Sequence, residues 1–117
     1  MPYYGASNTE LVEISKILNL PVSEMGQDWE FTLSSPEIIH PAIEFIAKKD
    51  SDLNIRAAVS CLLISSLYEY HRDMNVDHPL YKCALDALHK DNRLIKEIIP
   101  FWETSNEKYI KDILLRT

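Results

Sequence analysis

Glycine is nearly missing from this chain. Only Gly5 and Gly26 occur in 117 residues, both in the first quarter. From residue 27 onward the chain lacks the residue that tight hairpin turns prefer, which argues against a β-rich fold. Cysteine is scarce too. Cys61 and Cys83 form no CxxC pair and no Cys/His cluster of zinc-ligand spacing. Both sit in apolar helical patterns and are read as buried free thiols. The longest strongly apolar run, 57–67, is interrupted by serines and is too short to span a bilayer. The opening MPYYGASNTE has neither a basic n-region nor an apolar h-region. No signal peptide is therefore expected, and the protein is placed in the cytoplasm.

Catalytic signatures are missing as well. Two glycines cannot supply a GxSxG elbow or a phosphate-cradling loop. His71-Arg72-Asp73 looks like the kinase catalytic loop, but the Asn required five residues after the Asp is His78 here. The four histidines, His40, His71, His78 and His89, include no HExxH pair. A metal site could be drawn only around His71, Asp73, Asp77 and His78. Capping or solvated histidines explain that pattern better. No catalytic residue, metal or cofactor is assigned, and the chain is read as a non-enzyme.

Helical periodicity is what remains. Apolar residues recur at intervals of three and four rather than two. Apolar residues make up 46% and charged residues 26%, an ordinary globular balance that argues against disorder. The length suits one domain over 1–117, able to bury roughly two thirds of the surface of its unfolded chain. Ser7 and Glu10 form a capping box for a helix over 9–18, ended by Pro21. Residues 21–35 read as an irregular, acidic connecting segment. Within it Met25 and Gly26 suggest a turn, and Trp29, Phe31 and Leu33 alternate with polar residues as in a short extended stretch. Pro36 and Glu37 open a second helix, which Pro41 should kink or restart. A long helix over 53–72, begun by Asp52, is apolar nearly all round and should be surrounded by the others. Further helices start at Pro79 and near Asn92, with Pro100 bending the latter. Thr104 and Glu107 form another capping box before a last helix carrying Ile110, Ile113 and Leu114. The expected fold is all-α: a compact multi-helix bundle of five to six helices around the central apolar helix. His40-Pro41 and His78-Pro79 recur at an offset of 38 residues, which raises HEAT-like helical pairs as a variant of that architecture.

The net charge is −6, and its distribution is uneven. Residues 17–47 contain no Lys or Arg but hold Glu24, Asp28, Glu30, Glu37 and Glu44. A second acidic group is Glu69, Asp73 and Asp77. Such a surface disfavours nucleic acid and anionic membranes and favours a basic protein partner. Trp29 and Phe31 lie inside the first acidic run, as large anchors among charges do at interfaces. Trp29 and Trp102 read more readily as core or rim residues than as base-stacking platforms, since no cations surround Trp29.

Several of these segments together resemble the small helical immunity proteins that bacteria make against toxins delivered by contact-dependent or secreted systems. The segments are Gln27-Asp28-Trp29-Glu30, the helix from Pro36-Glu37-Ile38-Ile39 through Phe45-Ile46, the helix Leu62-Leu63-Ile64-Ser65-Ser66-Leu67-Tyr68-Glu69, and Ile99-Pro100-Phe101-Trp102. The resemblance implies an antidote that binds the toxic domain of a cognate toxin and blocks its active site or an exosite. Many such toxins are nucleases with basic surfaces, which an acidic inhibitor would match. On this reading Glu24, Asp28, Trp29, Glu30 and Glu37 carry binding, with Glu69, Asp73 and Asp77 contributing. The alternative is a generic HEAT-like scaffold or adaptor.

Overall fold

The computed structural model describes residue 3 and residues 5–21, 29–48, 52–71, 78–102 and 108–115. Among these residues every regular element is helical. The elements are α1 (Asn8–Leu18), a single turn α2 (Trp29–Thr32), a 3₁₀ turn (Pro36–Ile38), α3 (Ile39–Ile46), α4 (Leu53–His71), α5 (Pro79–His89), α6 (Asn92–Ile98), a second 3₁₀ turn (Ile99–Trp102) and α7 (Lys108–Leu115). The all-α bundle expected from the periodicity is what forms.

Local chemistry explains most boundaries. Ser7 Oγ accepts from the Glu10 N–H at 3.2 Å, and Glu10 Oε1 accepts from the Ser7 N–H at 2.8 Å, so the capping box closes as read. Asn19 ends α1 in the left-handed region at φ 54°, which asparagine tolerates better than most residues. Pro41 is the third residue of α3, where a missing N–H removes no intrahelical bond. The α-helix starts at Ile39, directly after the 3₁₀ turn. Asp52 Oδ1 accepts from the Asn54 N–H at 2.8 Å and begins α4. His78 Nδ1 accepts from the Leu80 N–H at 3.1 Å, with Pro79 as the first residue of α5. His40, by contrast, is exposed within α3. The two His-Pro pairs thus occupy different positions in their helices. Residues 104 and 107, expected to cap the last helix, lie outside the described residues.

Two sequence expectations need correction. Residues 29–32 are not extended. The Leu33 N–H donates to Trp29 O at 3.0 Å, closing a helical turn. Cys83 is exposed on α5 rather than buried, while Cys61 is fully enclosed. Burial, reinforced by the negative charge of Glu30, pushes the Cys61 thiol well above its usual range.

The core sits around α4. Residues 56–67 of this helix are buried on every side, and α1, α2, α3, α6 and α7 all pack on it. The radius of gyration is 13.0 Å, as expected for a compact chain of this length. The serines of α4 are accommodated individually: Ser60 Oγ donates to Arg56 O at 2.7 Å, and Ser66 serves another segment. His89 Nε2–H donates to Ile113 O at 2.7 Å and ties α5 to α7.

Among the described residues one cation lies inside this core. Arg56 is 1% exposed. Its Nη2 donates to Ile46 O at the end of α3 (3.0 Å), and its Nη1 meets Asp91 Oδ2 at 3.2 Å. Asp91 also caps α6 through the Arg93 N–H and takes the exposed Arg93 side chain at 3.1 Å. Hydrogen bonds from Arg93, then from Arg56, hold the Asp91 carboxyl well below its usual value of 3.8, outweighing the opposite pull of burial. Its carboxylate therefore stabilises the fold above about pH 4, and that contribution is lost as pH falls further. Asp91→Ala leaves Arg56 buried without its counter-charge and should cost about 3–5 kcal/mol in urea denaturation. Arg93→Ala should have little effect, because that side chain is solvated. The gap between Asp91→Asn and the parent protein should narrow below pH 4. A maleimide reagent should label Cys83 and spare Cys61 until the protein is unfolded, as mass spectrometry would show.

Candidate partner-binding surface

Residues 34 and 35, between α2 and the 3₁₀ turn, belong to no helix. Two side chains of α4 bond their backbone instead. The Ser35 N–H donates to Ser66 Oγ at 3.2 Å, and Tyr70 Oη donates to Ser34 O over a long 3.4 Å. Ser66 and Tyr70 stand four residues apart, on one face of the helix. They hold the 34–35 backbone against the C-terminal end of α4.

One acidic residue of each sequence group adjoins these contacts along the chain. Glu37 follows Ser35 by two residues and is exposed, and Glu69 adjoins Tyr70 and is exposed. Tyr70 itself is 50% exposed despite its hydrogen bond. From this corner an outward stripe continues along α3 through His40, Pro41 and Glu44, all exposed. Among the described residues none of Glu37, Glu44 and Glu69 forms an ion pair. The corner therefore combines negative charge, a half-covered aromatic ring and a backbone fixed from beneath.

Trp29 and Glu30 are placed differently from the sequence expectation. Trp29 is 3% exposed and belongs to the core, and Glu30 is 4% exposed. The reason is the helical turn of α2. Alternation would have sent neighbouring side chains to opposite faces, whereas about 100° per residue lets both turn inward. Glu30 Oε2 accepts from Tyr3 Oη at 2.7 Å. Burial first, and then the bond to Glu30, push the Tyr3 phenol far above its usual value of 10.0. Neither Trp29 nor Glu30 offers a surface to a partner in this conformation. They support α2 from inside. Glu24, Asp28, Asp73 and Asp77 lie outside the described residues, so of the eight expected binding residues Glu37 and Glu69 are the ones found at the surface.

Tyr70 was not among those eight. A signal for it existed: Ser66 and Tyr70 at helical spacing near the end of an otherwise apolar helix. Nothing in the sequence said which segment they would hold.

Comparison with known proteins finds no matching family model, no matching curated protein and no matching solved structure. The site rests on its geometry. No group of three or more His, Cys, Asp or Glu that could hold a metal occurs among the described residues. No helix among them is long and apolar enough to cross a membrane.

Because Glu37 and Glu69 are solvated and outside any described ion pair, Glu37→Lys combined with Glu69→Lys should change stability by no more than about 0.5 kcal/mol. Ser66→Ala strands the Ser35 N–H and should cost about 1 kcal/mol. Paired urea titrations would separate the two effects. Equal losses would mean that the acidic residues are structural.

Proposed function

We propose that this chain is an immunity protein, which binds a cognate bacterial toxin domain in the producing cell's cytoplasm and neutralises it by blocking its active site or an exosite. The observation that carries this reading is the acidic corner, where half-exposed Tyr70 and Ser66 hold the 34–35 backbone between exposed Glu37 and Glu69.

The physics of such a corner suits fast, tight protein binding. A net charge of −6 accelerates encounter with a basic partner. A tyrosine held in place loses little side-chain freedom on docking, and aromatic residues supply much of an interface's energy. The partner that complements these features is a protein with a basic cleft, such as a nuclease domain whose natural ligand is polyanionic. The inhibitor then acts by occupation and needs no chemistry of its own.

Co-expression with the open reading frame immediately upstream tests the role. The neighbour should be toxic alone, harmless with this chain, and co-purified with it. Glu37→Lys with Glu69→Lys should then slow association about tenfold at low salt and flatten its salt dependence. Tyr70→Ala should mainly quicken dissociation. A harmless neighbour that fails to co-purify would sink the reading, whereas protection unaffected by all three substitutions would leave the role standing and move the surface elsewhere.

A further inference from the structure

Histidine is an uncommon residue with which to start a helix. His78 occupies the N-cap of α5 with φ −64° and ψ 133°, and its Nδ1 accepts from the Leu80 N–H at 3.1 Å. Pro79 has no N–H to satisfy, and the Lys82 N–H already reaches His78 O at 3.0 Å. The imidazole therefore serves the one donor of Leu80 that the helix itself leaves open.

The favoured cap residues accept through an oxygen whose capacity does not change between about pH 5 and 8. The other side-chain caps among the described residues are of that kind: Ser7 before α1, Asp52 before α4 and Asp91 before α6. An imidazole differs. The neutral ring has one acceptor nitrogen, whereas both nitrogens of the imidazolium are donors. A proton on Nδ1 ends the bond to Leu80 and places positive charge at the positive end of the helix dipole. His78 is exposed, so solvent supplies that proton directly. α5 packs on α3 and α6, whose charged and titratable groups are His40 and Glu44, and Arg93, Lys96 and Glu97. Among the described residues none of these bonds to the His78 ring, and neither does Lys82, one turn along α5. Asp77 precedes it in sequence and lies outside the described residues.

We propose that His78 is a proton-operated cap, which closes the first turn of α5 while its imidazole is neutral and releases that turn when Nδ1 takes up a proton. The capped turn favours the neutral ring. Its contribution is therefore present above the range in which histidine ordinarily titrates and is lost as pH falls through that range. The release is confined to the start of α5, because Tyr81, Ala84, Ala87 and Leu88 keep the helix in the core.

Amide exchange followed by NMR and corrected for intrinsic exchange chemistry tests this. Between about pH 7.5 and 5.5, protection at the Leu80 and Lys82 amides should fall about fivefold in the parent protein. Amides in the middle of α4 should not change. His78→Asn caps without a titrating group and should hold its protection across the same range. His78→Ala should show weak protection at both ends. His40, His71 and His89 remain in both variants, so a pH dependence shared by all three proteins belongs to them. A parent whose Leu80 amide ignores pH, or whose loss is matched by His78→Asn, would overturn the proposal. The ring's nitrogen chemical shifts give a second reading that needs no variant. At the higher pH they should show the proton on Nε2, and a proton found on Nδ1 would exclude the cap.

Discussion

Burying the Arg56 guanidinium inside α4 imposes a condition on everything around it. A charge without water is tolerable only with a counter-charge and acceptors held in place. Asp91 supplies the first, and Ile46 O supplies one of the second. Those two groups sit at the start of α6 and the end of α3, so one side chain of α4 fixes the approach of two other helices. Asp91 serves twice, since the same carboxylate caps α6. Among the described residues Arg56 Nε has no partner, so the compensation is incomplete and depends on Asp91 remaining ionised. The pair therefore specifies an arrangement more than it adds stability. A hydrophobic residue of similar volume could fill the space, but it would not choose which helix ends meet there.

A buried polar contact between Tyr3 and Glu30 follows the same logic, joining Tyr3, ahead of α1, to the single turn of α2. A single helical turn is not stable alone and depends on such tertiary contacts. From α2 the influence passes to the surface, since the chain leaves that turn directly into the 34–35 backbone that Ser66 and Tyr70 hold. The acidic corner is a consequence of interior contacts on both of its flanks.

How much of the site was legible follows from this. The charge asymmetry could be counted directly, because residues 17–47 hold five acids and no base. The exposure of Glu37 and Glu44 follows from helical periodicity around Ile38, Ile39, Ala42 and Ile46, which face the core. Trp29 and Glu30 resisted such reading. A four-residue turn shows no periodicity to distinguish it from an extended stretch, and Tyr3, which donates to buried Glu30, lies 27 residues away. Tyr70 became part of the surface only once its neighbour in space was known.

By itself the sequence determined the helical character of this protein, the capping at Ser7, the helix starts at Asp52 and Pro79, and the identity of the central helix. These depend on interactions within a few residues of one another, where spacing along the chain equals spacing in space. Tertiary structure alone decided which charges are buried, which thiol is accessible and which acids share a corner. Those outcomes rest on partners tens of residues apart, and a buried polar group is stable or costly only according to what the fold places beside it.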